Sequence, residues 1–429
     1  MNKKLFVFED DKFEDFHPLT YFRPVYQLLF GIKLLQEKIS SFYPGAEVTL
    51  LCRDYLKEIL ELRSNLRVNN LEVKNEDELL FINGRVISSE GLSSNLTFSK
   101  EKRSYICKDD LIGFNLKGSD LKQVENEVNS LYHKDSLESI KGKTRTTGVE
   151  VRLADYLWNL IDGNKEEIES DFKRISPNFD QKNMLKECEV DTTAVTHNLS
   201  NVFIGKGSKV EAYAVLDARE GPIYIEENAL IRSHTRVEGP AYIGKGTQLV
   251  GGKIGPGCSF GQMCRIGGEV ENSTFLGFSN KYHEGFLGHS YVGEWVNLGA
   301  LTTNSDLKNN YSWIRVQLKD KEINTGLIKV GAFVGDHVKT GIGTLLNSGI
   351  NVGFGANLFG GGMIKEKFIP CFSWFDGKEF EEYRLDKFLS TASEVMKRRG
   401  KKLTQKETNV LGKIFDLTKK EREKTVRPG

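Results

Sequence analysis

Two sets of residues in this 429-residue chain are of types that do chemistry. The first lies near the start. Glu9-Asp10-Asp11 and Asp15 are carboxylates close together in sequence, and oxygen ligands of this kind suit a hard divalent cation. Arg23, Lys38 and Arg85 are fixed cations of the type that holds phosphate oxygens, Arg85 following directly on Asn83-Gly84. Arg23 sits between Phe22 and Pro24, where its guanidinium has little freedom to lose. A salt bridge to Glu14 or Asp15 would occupy it equally well, and a hairpin turn would account for Arg85. The second set centres on His283, since an imidazole is the side chain that takes up a proton near neutral pH. Lys281 precedes it, and His289 follows one hexad later, where it would stack above His283. Asn297 lies one position before an inward aliphatic. Taken singly, each of these is also an ordinary solvated or corner residue.

The first set rides on an α/β pattern. Lys4-Leu5-Phe6-Val7-Phe8 is a short apolar run opening into the acidic loop, and Val48 to Cys52 and Leu79 to Ile82 read as two more buried strands. Helices are expected from Gly31 to Ile39 and from Tyr55 to Leu62. In such folds ligands sit outside the carboxyl ends of the strands. Pro18 and Pro24 deny the intervening segment a regular helix. Asp109 to Phe114 is expected as an edge strand, and Tyr156 to Phe172 as a helix whose second half Asn164 caps. The pattern breaks at Ser176-Pro177-Asn178, which puts the end of this domain near 185.

The second set rides on a repeat. From about Asn201 to Phe359 an aliphatic recurs every six residues: Ile204, Val210, Leu216, then Ile225, Ile231, Val237, Ile243, Leu249, then Ile254, Phe260, Ile266. Later blocks run Phe286, Val292, Leu298 and Val334, Thr340, Leu346, Val352, Leu358. Short strands with glycine-tolerant corners at this period make a β-helix, whose coils must stack to bury their faces. The repeat is interrupted around Ser279 to Gly285 and at Thr303 to Gly326. Two helices follow, Glu382 to Arg398 and Thr404 to Glu423, the second opened by a Thr404/Glu407 capping box. Leu385, Phe388, Leu389, Ala392 and Val395 are placed to cover the open end of the β-helix or a neighbouring subunit.

Lys+Arg (60) and Asp+Glu (59) balance, which gives no support for a nucleic-acid partner. Six scattered cysteines without a CxxC speak against structural zinc and a disulfide scaffold. Cys258 and Cys264, one hexad apart, fall where rung residues are buried. No stretch approaches the ~18 apolar residues of a membrane span, so no membrane insertion is expected and the chain reads as cytoplasmic.

Ser279-Asn280-Lys281-Tyr282-His283, continuing through Phe286 to Gly293, Trp295 to Ala300 and Ser305 to Tyr311, resembles a family of bifunctional bacterial enzymes. These join a sugar-1-phosphate uridylyltransferase to an acetyltransferase and make UDP-N-acetylglucosamine. Pro18 to Val25, Gly31 and Glu37-Lys38 resemble the opening of a divergent branch of that family. The resemblance implies a Rossmann-like nucleotidyltransferase domain (1–185) and a left-handed parallel β-helix acyltransferase domain (190–375), which the helices read above follow as a C-terminal extension (378–429). It further implies a homotrimer with acetyl-CoA bound between subunits. His283 matches the catalytic base, Asn297 a residue that positions the sugar amine and Ala300 a backbone contact near the thioester, while Asn280 and Lys281 are further candidates for the acceptor site and His289 for the coenzyme site. Acetyl transfer from a thioester to an amine needs such a base.

The chain departs from that pattern in places. Phe286 stands for a tyrosine, Glu271 for a lysine and Asp336 for a serine. The front domain lacks the glycine-rich phosphate loop, and Asn83-Gly84 stands near where a metal-holding aspartate belongs. Arg23, Lys38, Asn83 and Arg85 are then the candidates for the nucleotide or sugar phosphate, and Asp10, Asp11 and Asp15 for the Mg2+ of nucleotidyl transfer. The expected function is acetylation of an amino-sugar phosphate, coupled to joining a sugar-1-phosphate to a nucleoside triphosphate. An acyltransferase with an inactive, substrate-holding front domain and a non-catalytic scaffold are the alternatives.

Overall fold

The computed structural model describes residues 2–88, 90–175 and 181–425. The expected break at Ser176-Pro177-Asn178 lies outside them. The chain divides into two compact units, one of Met1–Phe16, Thr20–Leu28 and Lys33–Tyr156, the other of His17–Leu19, Leu29–Ile32 and Leu157–Gly429.

The first unit is built on a seven-stranded mixed sheet. Its central strand, Lys3–Phe8, pairs in parallel with Glu47–Leu51 and Glu78–Asn83, and the latter pairs antiparallel with Asp110–Lys117. The three apolar runs thus become adjacent strands, because alternate residues bury on a common face. Phe6, Phe81 and Phe114 stack across it, with ring centroids 4.5 and 4.3 Å apart. Asp110–Lys117 is not an edge strand as expected. Arg103–Cys107 pairs on its far side, so it is buried between two neighbours. The helix expected from Gly31 forms only over Leu35–Ser41.

The second unit is a solenoid of parallel coils stacked like a left-handed β-helix, its short strands forming sheets of six, six and nine strands and two shorter ones. The six-residue phase marks the core: Ile204, Leu216, Ile231, Leu249, Ile266 and their equivalents are at most 2 % exposed, as are Cys258 and Cys264. Each fully buried aliphatic of this kind contributes about 1.5–3 kcal/mol. At one expected core position the phase is off by a residue, since Leu287 rather than Phe286 points inward. The polar interruption at Thr303 to Gly326 holds an antiparallel hairpin, Arg315–Leu318 with Lys321–Asn324. By contrast, the run around Ser279 is no interruption. Asn280–Lys281 is a regular rung pairing with Arg265–Ile266.

The first unit closes at Tyr156, and the helix Asn164–Ile175 packs on the rungs Ala241–Ile243 and Cys258–Gln262. Asn164 does not cap it. Its buried amide accepts from Gly31 N and donates to Gly257 O and Ser259 Oγ, bonds of 2.7 to 2.9 Å.

One solenoid corner carries Met263, Phe278, Trp295, His337 and Phe372, all at φ between 53 and 61°. Left-handed backbone at a non-glycine residue costs roughly 1–3 kcal/mol. Side-chain stacking offsets it: Phe278 and Trp295 lie parallel at 4.3 Å. The helix Leu385–Lys397 runs along this corner, Phe388 against Phe354, Phe372 and His337, and Met396 against Phe278 and Trp295. It therefore covers a side of the solenoid and not its open end. Among the described residues no helix is long and apolar enough to cross a membrane.

Candidate functional site

In the first unit the strands Lys3–Phe8 and Glu78–Asn83 deliver Asp10, Asn83 and Arg85 together at their carboxyl ends. These groups satisfy one another. Arg85 Nε donates to Asp10 Oδ2 at 2.8 Å, Asn83 Nδ2 to the same oxygen at 2.8 Å, and Arg85 Nη1 to Ala154 O and Asp155. Burial works against the Arg85 charge, but Asp10, Asp110 and Asp155 outweigh it and hold the guanidinium firmly protonated. Glu9 is likewise engaged, bound by Arg53 Nε at 2.7 Å and by Val25 N. Burial nonetheless raises its pKa. Gly84 is required here because a Cβ would lie 2.6 Å from the Tyr26 ring.

This arrangement corrects several expectations. Asp10, Asp11 and Asp15 do not assemble a metal site: Asp10 is taken by Arg85 and Asn83, and no described residues form a group of three or more ligands suited to a metal ion. The donor set does not fit Mg2+. Arg23, Lys38, Asn83 and Arg85 are each at most 2 % exposed. None of them lines the 580 Å³ cleft beside Asp10 and Asp11, whose cations are Lys12, Lys108, Lys134 and Lys141. Arg53 escaped sequence reasoning. It donates to the carbonyls of Thr20 and Arg23 and so sets the path of the proline-bounded segment.

In the second unit His283, Asn280, Asn297 and Ala300 line one 310 Å³ cleft, with Arg265, Tyr282, Leu298, Gly299, Ile342 and Arg398. Parallel register does this, for Arg265, Asn280, Asn297 and Lys339 occupy equivalent positions on successive coils. His283 stands exposed on the corner that follows, its ring edge-on to Tyr282 at 5.2 Å. Asn280 Nδ2 donates to Asn297 Oδ1 at 3.2 Å, and Asn280 Oδ1 accepts from Arg399 at 2.5 Å. The last contact comes from the chain just beyond the helix Leu385–Lys397.

Lys281 is not at the cleft surface. It pairs in register with Ile266, so it occupies a core position, 1 % exposed, and its ammonium donates to His283 O at 2.5 Å from beneath the corner. Burial pulls its pKa down to about 8, partly opposed by Glu284. His289 does not stack on His283 either. Six residues carry the chain to the next face of the coil, where His289 Nδ1 meets Asp306 at 2.7 Å outside this cleft. Asp336 is buried and accepts from Glu294 N at 2.6 Å, which makes it a corner brace. Arg265, Arg398 and Arg399 carried no sequence signal, because nothing local announces that three arginines so far apart converge.

Comparison with known proteins bears on both units. Residues 5–178 match the family model of sugar nucleotidyl transferases. A bifunctional sugar-1-phosphate nucleotidylyltransferase/acetyltransferase of Sulfurisphaera tokodaii is 35 % identical over 34 % of this chain and 37 % of its own length. Two proteins called bifunctional protein GlmU are also similar. That of Methylibium petroleiphilum is 30 % identical over 43 % of this chain and 35 % of its own. That of Methanococcus aeolicus is 28 % identical over 55 % and 56 %. The matches thus span between about a third and somewhat over half of these relatives.

Proposed function

We propose that this protein transfers the acetyl group of acetyl-CoA to the amine of an amino-sugar phosphate at the His283 cleft. The observation that carries the reading is the gathering of His283, Asn280, Asn297 and Ala300 at one cleft. The amine attacks the thioester carbonyl, His283 takes the amine proton, and free CoA leaves. Asn297 orients the acceptor, while Lys281 supports the corner that presents the histidine. A scaffold without chemistry would not need these groups together. The name of the Sulfurisphaera relative, a bifunctional sugar-1-phosphate nucleotidylyltransferase/acetyltransferase, supports both activities. The protein works as a homotrimer in the cytoplasm, and the coenzyme binds where coils of neighbouring subunits meet.

Purified protein given acetyl-CoA and a panel of amino-sugar phosphates beginning with glucosamine-1-phosphate is expected to release CoA and yield the N-acetyl sugar. A positioned general base contributes about 10²–10⁴-fold, so His283→Asn should lower the rate by that order without unfolding the coils. Full activity in His283→Asn would sink the assignment.

For the front domain, the Asp10–Arg85–Asn83 network favours a second reading, a domain that holds nucleotide or sugar phosphate without transferring it. Release of pyrophosphate from any nucleoside triphosphate with a sugar-1-phosphate would restore the transfer reading.

A further inference from the structure

The His283 cleft is strongly and one-sidedly cationic. Arg265 and Arg398 line it, Arg399 borders it through Asn280, and none of the described residues lining it is acidic. Arg265 comes from the rung Arg265–Ile266, whereas Arg398 and Arg399 follow the helix Leu385–Lys397, which ends here only because Phe388 and Met396 seat it along the aromatic corner. The Arg265 Nε is buried without a hydrogen-bond partner. Burial lowers the Arg399 pKa, and the Arg265 and Arg398 charges lower it further, so the three guanidinia feel one another. Like charges held together around an orphaned donor are a site awaiting an anion. The planar fork of arginine matches a phosphomonoester in particular.

We infer that Arg265, Arg398 and Arg399 form an anion subsite that holds the phosphate of the amine-bearing acceptor, and that the C-terminal helix is therefore part of the acyltransferase site. The inference rests on the function proposed above and adds the residues that select a phosphorylated acceptor. Asn280 then acts as a positioning residue, fixing Arg399 on one side and Asn297 on the other. Coenzyme phosphates offer the same chemistry, and the experiment separates the two sources.

Calorimetry on the full chain measures binding of glucosamine-1-phosphate, glucosamine, CoA and dephospho-CoA, to wild type and to Arg265→Gln, Arg399→Gln and Arg399→Lys. A hydrogen bond to a charged group is worth about 10- to 100-fold in affinity. The wild type is expected to prefer glucosamine-1-phosphate to glucosamine, and each Gln variant to weaken the phosphorylated ligand by that factor and shrink the preference. Arg399→Lys should restore only part of it. Unchanged circular dichroism confirms that each variant is folded. Loss confined to CoA, with dephospho-CoA unaffected by the variants, would overturn the inference in favour of a coenzyme site. Turnover in wild type with no effect of either Gln variant on the acceptor would overturn it and leave the acetyltransferase reading standing. Arginine-dependent binding without any turnover would uphold the subsite and count against that reading.

Discussion

Arg85 shows how a residue suited to grip a substrate can be consumed by its own fold. Its guanidinium is 1 % exposed and bound to Asp10 at 2.8 Å, so it stabilises the strand ends. Arg85→Met would leave Asp10 buried with its charge uncompensated, and breaking a pair of this kind costs about 3–5 kcal/mol. Urea unfolding should show that loss. A change below about 1 kcal/mol would mean that Asp10 is held by Asn83 alone. Lys281 and Lys339 make the opposite case, as a buried and a half-buried cation whose ammonium groups bond only to backbone carbonyls. Lys339 donates to Trp295 O and His337 O, and burial takes its pKa to about 7, that of Lys281 to about 8, from 10.5. Between those values and 10.5 the unfolded chain binds protons that the folded chain has released. Stability therefore rises with pH across that window. The urea midpoint is expected to climb from pH 7 toward 10, and Lys281→Met with Lys339→Met to flatten the climb. A midpoint that falls over this range in the wild type but not in the double variant would refute the sign.

At the scale of elements, the helix Leu385–Lys397 matters most. Phe388 is 2 % exposed within a ring cluster of Phe354, Phe372, His337 and Tyr383. Truncation of a buried phenylalanine typically costs 3–5 kcal/mol. Phe388→Ala should therefore loosen the helix from the solenoid and weaken acceptor binding, because Arg398 and Arg399 ride on its end. Limited proteolysis should cut after 384 in the variant and not in the wild type. Equal resistance in both would detach the helix from the site. The apolar stripe that seats this helix was visible in sequence, but its destination was not. A stripe states that a face must be buried without stating against what, and the left-handed corner residues that receive it are spaced 15 to 42 residues apart.

For the whole molecule, assembly is the open test. A closed three-fold oligomer is expected from exposed coil faces and a coenzyme site shared between neighbours. Sedimentation equilibrium at micromolar concentration should report three chains. A stable monomer would leave the coenzyme without its second wall.

What the sequence determined by itself were the features that repeat or are local. The six-residue phase announced the solenoid and its core, since every coil must bury the same positions. Short apolar runs announced the central strands, and the Thr404/Glu407 capping box forms at the start of the helix Gln405–Leu417 as expected. The cluster around His283 was legible because its members lie within one coil or the next. Tertiary structure alone decided which charged residues remain available. Asp10, Asn83 and Arg85 neutralise one another, Lys281 turns into the core, and His289 goes to another face. It also decided that Arg265, Arg398 and Arg399 meet. Convergence over such separations depends on coil register and helix docking, and no local pattern encodes either.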